Sequence, residues 1–430
     1  MKKIILQKLV LPVGEKMQNH WEIFYRGPRA VILDSENCLM LSAGQAFDFA
    51  TYMSGLAYNK WSRYTNLGEV SLTISIQGEF ILNLTGYSND PTSPVRHEYL
   101  HQQFSNASRQ DITVSFPKDI EEEFIAFELL PISHCYFYGG FYSSDFEQND
   151  IREVNIAIAT TTCHKEQFII HNIQILNDYF FNPSRHEEDG EHIYINVVDN
   201  GESLNRKDIE LSDHIKLFPN HNNGGSGGFA RGMIESLRSK ADISHVILMD
   251  DDVLLLPESI RRTYTLLRVL KPEYYDCVIN GAMLKMEDME VLHEDVGTLD
   301  KAAYVHAIHQ DININDLRNI IYINRGSEHR DYTYGAWWFN CIPRETIEKF
   351  GLPLPVFIRM DDCEYGIRIH AKCISMSGIG IWHMGFDNKF NFAMDLYQRY
   401  RNSFIIKALG DYSGRSAHAL KRVQRMGIAV

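Results

Sequence analysis

The sequence predicts an α/β, Rossmann-like domain, preceded by an antiparallel β-sandwich and followed by a short helical segment. Three observations carry this. Apolar and polar residues alternate with a period of two before about residue 150. From Glu153 onward, short apolar runs alternate with stretches of helical spacing, the pattern of a parallel or mixed sheet with helices on both faces. The polar, glycine-rich and aspartate-rich turns of that second region all follow apolar runs, which is where ligands bind in such sheets. At 430 residues the chain exceeds one typical core. We divide it at 1–150 (sandwich), 151–390 (α/β domain) and 391–430 (helical segment).

In the first region LTISIQGEFILNLTGY (Leu72–Tyr87), DITVSFP (Asp111–Pro117) and EFIAFELLP (Glu123–Pro131) read as half-buried strands separated by Gly, Pro, Asn and Ser. In the second, VNIAIAT (Val154–Thr160) is a buried strand and KEQFIIHNIQILNDYF (Lys165–Phe180) a helix. HIYINVVDNG (His192–Gly201) and HIKLFPN (His214–Asn220) are strands, FARGMIESLRSK (Phe229–Lys240) is a helix, and HVILM (His245–Met249) is a fourth strand. The last forty residues carry seven basic side chains (Arg399, Arg401, Lys407, Arg415, Lys421, Arg422, Arg425) against Asp395 and Asp411. That excess makes the tail a candidate for docking on an anionic membrane surface.

Composition narrows the function. A formal charge of -14 argues against a nucleic-acid partner, because binding a polyanion requires an excess of Lys and Arg. Seven cysteines without a C-x-x-C pair suggest neither a disulfide scaffold nor a zinc ribbon, so a reducing compartment is expected. No stretch approaches the roughly 20 apolar residues of a spanning helix, and Gln7 and Lys8 interrupt the first apolar run. The expected location is cytoplasmic, with peripheral attachment to the inner face of the cytoplasmic membrane as the alternative.

The chemistry concentrates in five motifs. In HVILMDDDV (His245–Val253) a strand ends in three carboxylates; Asp250 and Asp252, two apart, can converge on one point while Asp251 points elsewhere. Converging carboxylates take up protons or bind a hard divalent cation, Mn2+ or Mg2+. HNNGGSGGFARGM (His221–Met233) holds five glycines and opens a helix, so its N–H groups can face an anion; it matches neither a P-loop nor a dinucleotide fingerprint. YGAWWFNCIP (Tyr334–Pro343) pairs Trp337 with Trp338, which cannot both face one side of a strand: at least one is core, and the other can stack on a sugar. Asp361, Asp362 and Glu364 sit at a helix start, where carboxylates suit the dipole, and one of them can serve as a base. GIGIWHMGF (Gly378–Phe386) ends a strand at His383, a side chain that ligates Mn2+-type metals.

In combination and order, GGSGGFARG, MDDD, AWW, FIRMDD and WHMGF resemble family 2 glycosyltransferases of the glycosyltransferase-A fold, and within them the polymerising galactofuranosyltransferases of bacterial cell walls. The resemblance implies an inverting transfer of galactofuranose from UDP-galactofuranose to a hydroxyl of a glycan or lipid-linked glycan, with self-association among the candidate partner states. It implies that Asp250, Asp252 and His383 hold the metal and that Asp362 is the general base. It assigns the nucleotide sugar to Thr161, His164, Asp199, Asn223, Gly224, Gly225, Arg231 and Asp251, with His164 or Lys165 standing where the family has an arginine. Trp337, Trp338 and Asp361 would form the acceptor or sugar pocket. Other donors (UDP-galactopyranose, UDP-glucose, dTDP-rhamnose) and a non-catalytic carbohydrate-binding protein are the alternatives. A dehalogenase-type phosphohydrolase also ends a strand in D-x-D, but Val253 and Leu254 follow here in place of its usual threonine.

Overall fold

The computed structural model describes all residues except 34, 36, 89–93, 185–187, 300–304, 326–330, 386–396 and 410–430. Strands β1 (Lys2–Lys8), β2 (Val31–Leu33), β3 (Cys38–Leu41), β4 (Phe47–Asp48), β5 (Val70–Ser88), β6 (Val95–Ser115), β7 (Phe124–Pro131) and β8 (Cys135–Phe146) hydrogen-bond into one sheet, ordered β2-β3-β8-β5-β7-β4, with β1 on β8 and β6 on β5. Its pairings are all antiparallel. β5 is the spine: β8 pairs with its first half and β7 with its second, while β6 follows its other side. The alternation that predicted β5 is the one that buries Leu72, Ile74, Ile76, Phe80, Leu82 and Leu84, and a bulge between Ile76 and Gly78 shifts the pairing register. β6 starts sixteen residues before the expected Asp111. Its polar side chains leave both faces mostly exposed, so no period marks it, and that same polarity suits an edge strand.

Beyond Glu153 lies a mixed ten-stranded sheet. Its strands are β9 (Ile156–Thr162), β10 (Ile193–Asp199), β11 (Ile215–Pro219), β12 (His245–Asp250), β13 (Leu254–Leu255), β14 (Val278–Lys285), β15 (Val291–Glu294), β18 (Gln310–Asn313), β20 (Asn340–Pro343) and β21 (Cys373–His383). A three-stranded sheet joins β16 (Gly297–Leu299), β17 (Val305–Ala307) and β19 (Thr333–Tyr334). The parallel part runs β11-β10-β9-β12, so the chain moves outward from β9 on one side and then restarts on the other. The crevice between β9 and β12 is therefore the topological switch point, where such sheets bind ligands beyond their carboxyl ends.

The helices are α1 (Glu15–Gln18), α2 (Tyr58–Tyr64), α3 (Glu166–Leu176), α4 (Gly224–Leu237), α5 (Pro257–Val269), α6 (Leu317–Arg325), α7 (Arg344–Phe350), α8 (Asp361–Arg368) and α9 (Arg399–Leu409). α4 begins at Gly224, five residues before the expected Phe229, because the glycine run is helical itself. A Cβ at Gly228 would lie 2.1 Å from Thr161 Cγ2, so only glycine lets α4 approach the end of β9 this closely. Of the expected C-terminal helical segment, α9 is described; Asp411, Arg415, Lys421, Arg422 and Arg425 lie outside the described residues, and the membrane-docking expectation lies there with them. Among the described residues no helix is long and apolar enough to cross a membrane, and none of the seven cysteines is in a disulfide.

The two large sheets meet across a buried ionic cluster. Glu258, in the first turn of α5, accepts bonds from Arg261 Nε and Nη2 (both 2.7 Å), Arg262 Nε (3.2 Å), Tyr179 Oη (3.1 Å) and the Lys8 backbone N–H of β1 (2.7 Å). Arg262 in turn donates to the carbonyls of Lys8, Met53 and Gly378. The Glu258 carboxylate is turned inward, where these donors compensate its charge.

Candidate active site

The turn after β12 carries the three aspartates across the switch point. Asp250, Asp252 and His383 each offer a ligand atom, all within 4.8 Å of one another. His383 Nε2 is 3.1 Å from Asp252 Oδ1 and 3.8 Å from Asp250 Oδ2. Its Nδ1 is 2.6 Å from the Met384 carbonyl, which can only accept, so Nδ1 carries a proton and Nε2 faces the carboxylates. An Nε2 lone pair pointing at two carboxylates is repulsive unless a cation or a second proton lies between them. The donor set, two carboxylate oxygens and an imidazole nitrogen whose other nitrogen is anchored, fits Mn2+ or Mg2+.

Lys165, the residue immediately before α3, reaches the other side of the triplet. Its Nζ lies 2.7 Å from Asp252 Oδ2 and 3.3 Å from Asp251 Oδ1. Burial pushes the Asp252 carboxyl up, but bonds from His383 and Lys165 outweigh it and hold the group well below the usual carboxylate range. Asp250 is raised instead, by burial first and by its aspartate neighbours against the opposing pull of His383. Asn172 of α3, buried, donates to the carbonyls of Asp251 (2.9 Å) and Val253 (3.0 Å) and so fixes the turn.

A second carboxylate group faces this one. Asp361 and Asp362 open α8, and a Cβ on Gly225 at the start of α4 would sit 3.4 Å from Asp361 Oδ2. Burial raises both carboxyls; Asp362 and Asp250 raise Asp361 further, while the Cys363 N–H, 2.7 Å from Asp362 Oδ1, pulls Asp362 back. Glu294, at the end of β15, is buried beside Asp362, and its carboxyl is pushed up to about 8. The site thus gathers six carboxyl groups (Asp250, Asp251, Asp252, Glu294, Asp361, Asp362), with Lys165 and His383 as the cationic or protonatable groups nearest the triplet.

No family model matches the chain. By sequence it is 31% identical to galactofuranosyltransferase GlfT2 of Mycolicibacterium smegmatis over 49% of this chain and 34% of that one. It is 25% identical to galactofuranosyltransferase GlfT2 of Mycobacterium tuberculosis over 94% of this chain and 65% of that one. The chain is homologous to these galactofuranosyltransferases. It spans less than two thirds of the length of either relative. Among solved structures, mannosyltransferase PcManGT from Pyrobaculum calidifontis in complex with GDP-Man and Mn2+ has a TM-score of 0.36 at 10% identity, covering 60% of this chain and 66% of that chain.

Asp250, Asp252 and His383, the residues expected to hold a metal, come together, and Gly225 lies beside Asp361. Thr161 stands at the end of β9 with its buried hydroxyl lacking a partner among the described residues, and Asn223 immediately precedes α4. Gly224 takes φ +71°, and a Cβ there would meet the Phe357 carbonyl at 2.0 Å; it makes room for the chain before α8. Three expected contacts are engaged elsewhere. Both carboxylate oxygens of Asp199 accept N–H bonds from its own loop, at Gly201 and Leu204. Arg231 is held by Glu235 at 2.7 Å, and His164 is exposed at positive φ, 3.9 Å from Glu166. The tryptophans differ most from expectation. They occupy a turn between β19 and β20, not a strand, and both are buried. Trp337 packs edge-on against Phe229 and Tyr365, and Trp338 donates to the Gly281 carbonyl, so neither presents an open stacking face. Asp251, expected to point away from Asp250 and Asp252, meets Lys165, a donor it shares with Asp252. Asn172 and Glu294 went unnoticed in the sequence, because one lies mid-helix and the other in a strand run, VLHEDVG, without a local motif.

Proposed function

We propose that the protein is an inverting, metal-dependent glycosyltransferase that moves galactofuranose from UDP-galactofuranose to a hydroxyl of a growing cell-surface glycan. The observation that carries this reading is the carboxylate–carboxylate–imidazole triad at the switch point, with the buried carboxyls of Asp361 and Asp362 beside it. The homology to galactofuranosyltransferases supports both the activity and the choice of donor. We assign residues 151–390 as the catalytic domain and 1–150, whose strands join in one antiparallel sheet rather than the expected two-sheet sandwich, as a domain that supports it.

Asp250, Asp252 and His383 would hold the divalent ion, which when bound neutralises the charge of a diphosphate leaving group. Asp362 accepts the acceptor hydroxyl's proton as that oxygen attacks the anomeric carbon from the face opposite the leaving group. Burial matters here: it brings Asp362 nearer to the working pH, so proton uptake costs less than at an exposed aspartate. Asp361, raised further, stays protonated more readily and can donate to a sugar oxygen. Lys165 orients Asp251 and Asp252, and the Thr161 hydroxyl and the start of α4 offer donors to the nucleotide.

Purified protein should be incubated with a glycan acceptor, Mn2+ or Mg2+, and a panel of UDP-galactofuranose, UDP-galactopyranose, UDP-glucose and dTDP-rhamnose. Transfer is expected from UDP-galactofuranose and lost on chelation. Transfer from another member alone would reassign the donor, and no transfer or donor hydrolysis from any of them would leave a carbohydrate-binding protein.

A further inference from the structure

The segment leading into α8 is strained. Phe357, Arg359 and Met360 all take left-handed backbone angles (φ +75°, +71° and +62°), although none is glycine. Such a run turns successive carbonyls toward a common point, and carbonyls can only accept. Asn402 of α9, 1% exposed, fills that point: its side-chain amide donates to the carbonyls of Arg359 (2.7 Å) and Ile358 (3.0 Å), with Val356 at 3.4 Å. Its orientation is fixed, because Asn402 Oδ1 accepts from Arg401 Nε at 2.9 Å and Arg401 also donates to the Val356 carbonyl. On the opposite side, Ser226 of α4 bonds the same segment, its N–H to Phe357 and its hydroxyl to Leu354. Met360 immediately precedes Asp361 and Asp362, so any relaxation of the run swings the first turn of α8.

We propose that Asn402 is a positioning residue for Asp362: from outside the α/β sheet it locks the left-handed run that aims the base across the site. The proposal rests on the reading of Asp362 as general base. It gives α9 a role in the reaction, since loss of its docking would release the base while leaving the metal triad in place.

The test uses the full chain with UDP-galactofuranose, an alkyl galactofuranoside acceptor and Mn2+. Asn402→Ala removes the donor, and Asn402→Asp sets a carboxylate against the three carbonyls. A misplacement of order 1 Å lowers kcat by about 10²-fold, and kcat is expected to fall by about tenfold to 10²-fold in Asn402→Ala and further in Asn402→Asp. Calorimetric UDP–Mn2+ affinity and the donor KM should stay near wild type. Should neither variant fold, Arg401→Gln, at a half-buried position, is expected to lower kcat by a smaller factor with the same split. Unchanged kcat alongside an inactive Asp362→Asn would overturn the proposal, as would UDP–Mn2+ binding that falls in parallel with kcat. Full activity in Asp362→Asn would instead remove the base assignment itself, and this inference with it.

Discussion

Three carboxylates in succession repel one another, and the protein handles each differently. Asp252 is held ionised between His383 and Lys165, Asp251 shares Lys165, and Asp250 has His383 at 3.8 Å as its partner and is raised by burial. A divalent ion that lowers the Asp250 proton affinity stabilises the ionised triad, so binding should release protons. His383→Ala is expected to weaken Mn2+ binding by about 100-fold, at the upper end of what even indirect ligand losses cost; a calorimetric titration with and without UDP checks this, and unchanged affinity refutes the ligand assignment. For Asp362 the sign runs from its raised proton affinity. The base works ionised, so kcat should drop as pH falls, with a midpoint above the ordinary aspartate value of about 3.9. A pH–rate profile flat down to that value would show that another group takes the proton.

At the scale of elements, the strands that border the switch point were legible and their couplings were not. β9, β10, β11 and β12 fall within two residues of the runs that announced them; for β9, β10 and β12 this is because a strand buried on both faces must read as an apolar run. The glycine run was legible as a helix opening but not as helix, since glycine's low propensity is overridden by the contact it allows with β9. Pairings such as Lys165 with Asp252, or Asn172 with the Asp251 carbonyl, join positions some 80 residues apart, and no local period records them. The tryptophan pair shows the opposite failure: adjacent aromatics look like a site, but α4 and α8 pack Trp337 and β14 holds Trp338. α3 deserves a direct test because one buried amide fastens it to the aspartate turn. Asn172→Leu leaves two carbonyls without their donor and should cost about 1–3 kcal/mol. It should also weaken Mn2+ binding, because the turn loses its brace. Denaturant unfolding and metal titration on one preparation check both, and a variant with wild-type values on each would mean that α3 does not order the turn.

At the scale of the whole molecule, the two sheets share one interior. A single buried apolar cluster includes Ile4 and Leu6 of β1, Tyr64 of α2, Leu267 of α5 and Trp382 of β21. Glu258 sits at this junction, and its carboxyl is depressed to about 2: burial raises it, but Arg261 and Arg262 more than offset that. A depressed folded-state value stabilises the fold at every pH above the unfolded value near 4.3, by about 3 kcal/mol, and that contribution fades as pH falls from there toward 2. Removing the carboxylate strands two buried guanidinium groups, so Glu258→Ala should cost about 3–5 kcal/mol at pH 7. The difference from wild type should shrink below pH 4, where the wild type loses the same interaction. The junction also predicts how the chain comes apart. Because Arg262 bonds carbonyls of Lys8, Met53 and Gly378 together, neither sheet can leave without exposing paired charges and shared apolar surface. Calorimetric unfolding should therefore give one transition, and residues 151–430 expressed alone should be insoluble unless residues 1–150 are supplied with them. A soluble 151–430 fragment that binds Mn2+ and UDP like the full chain would show that the N-terminal sheet is an accessory and that the ionic junction is incidental to the fold.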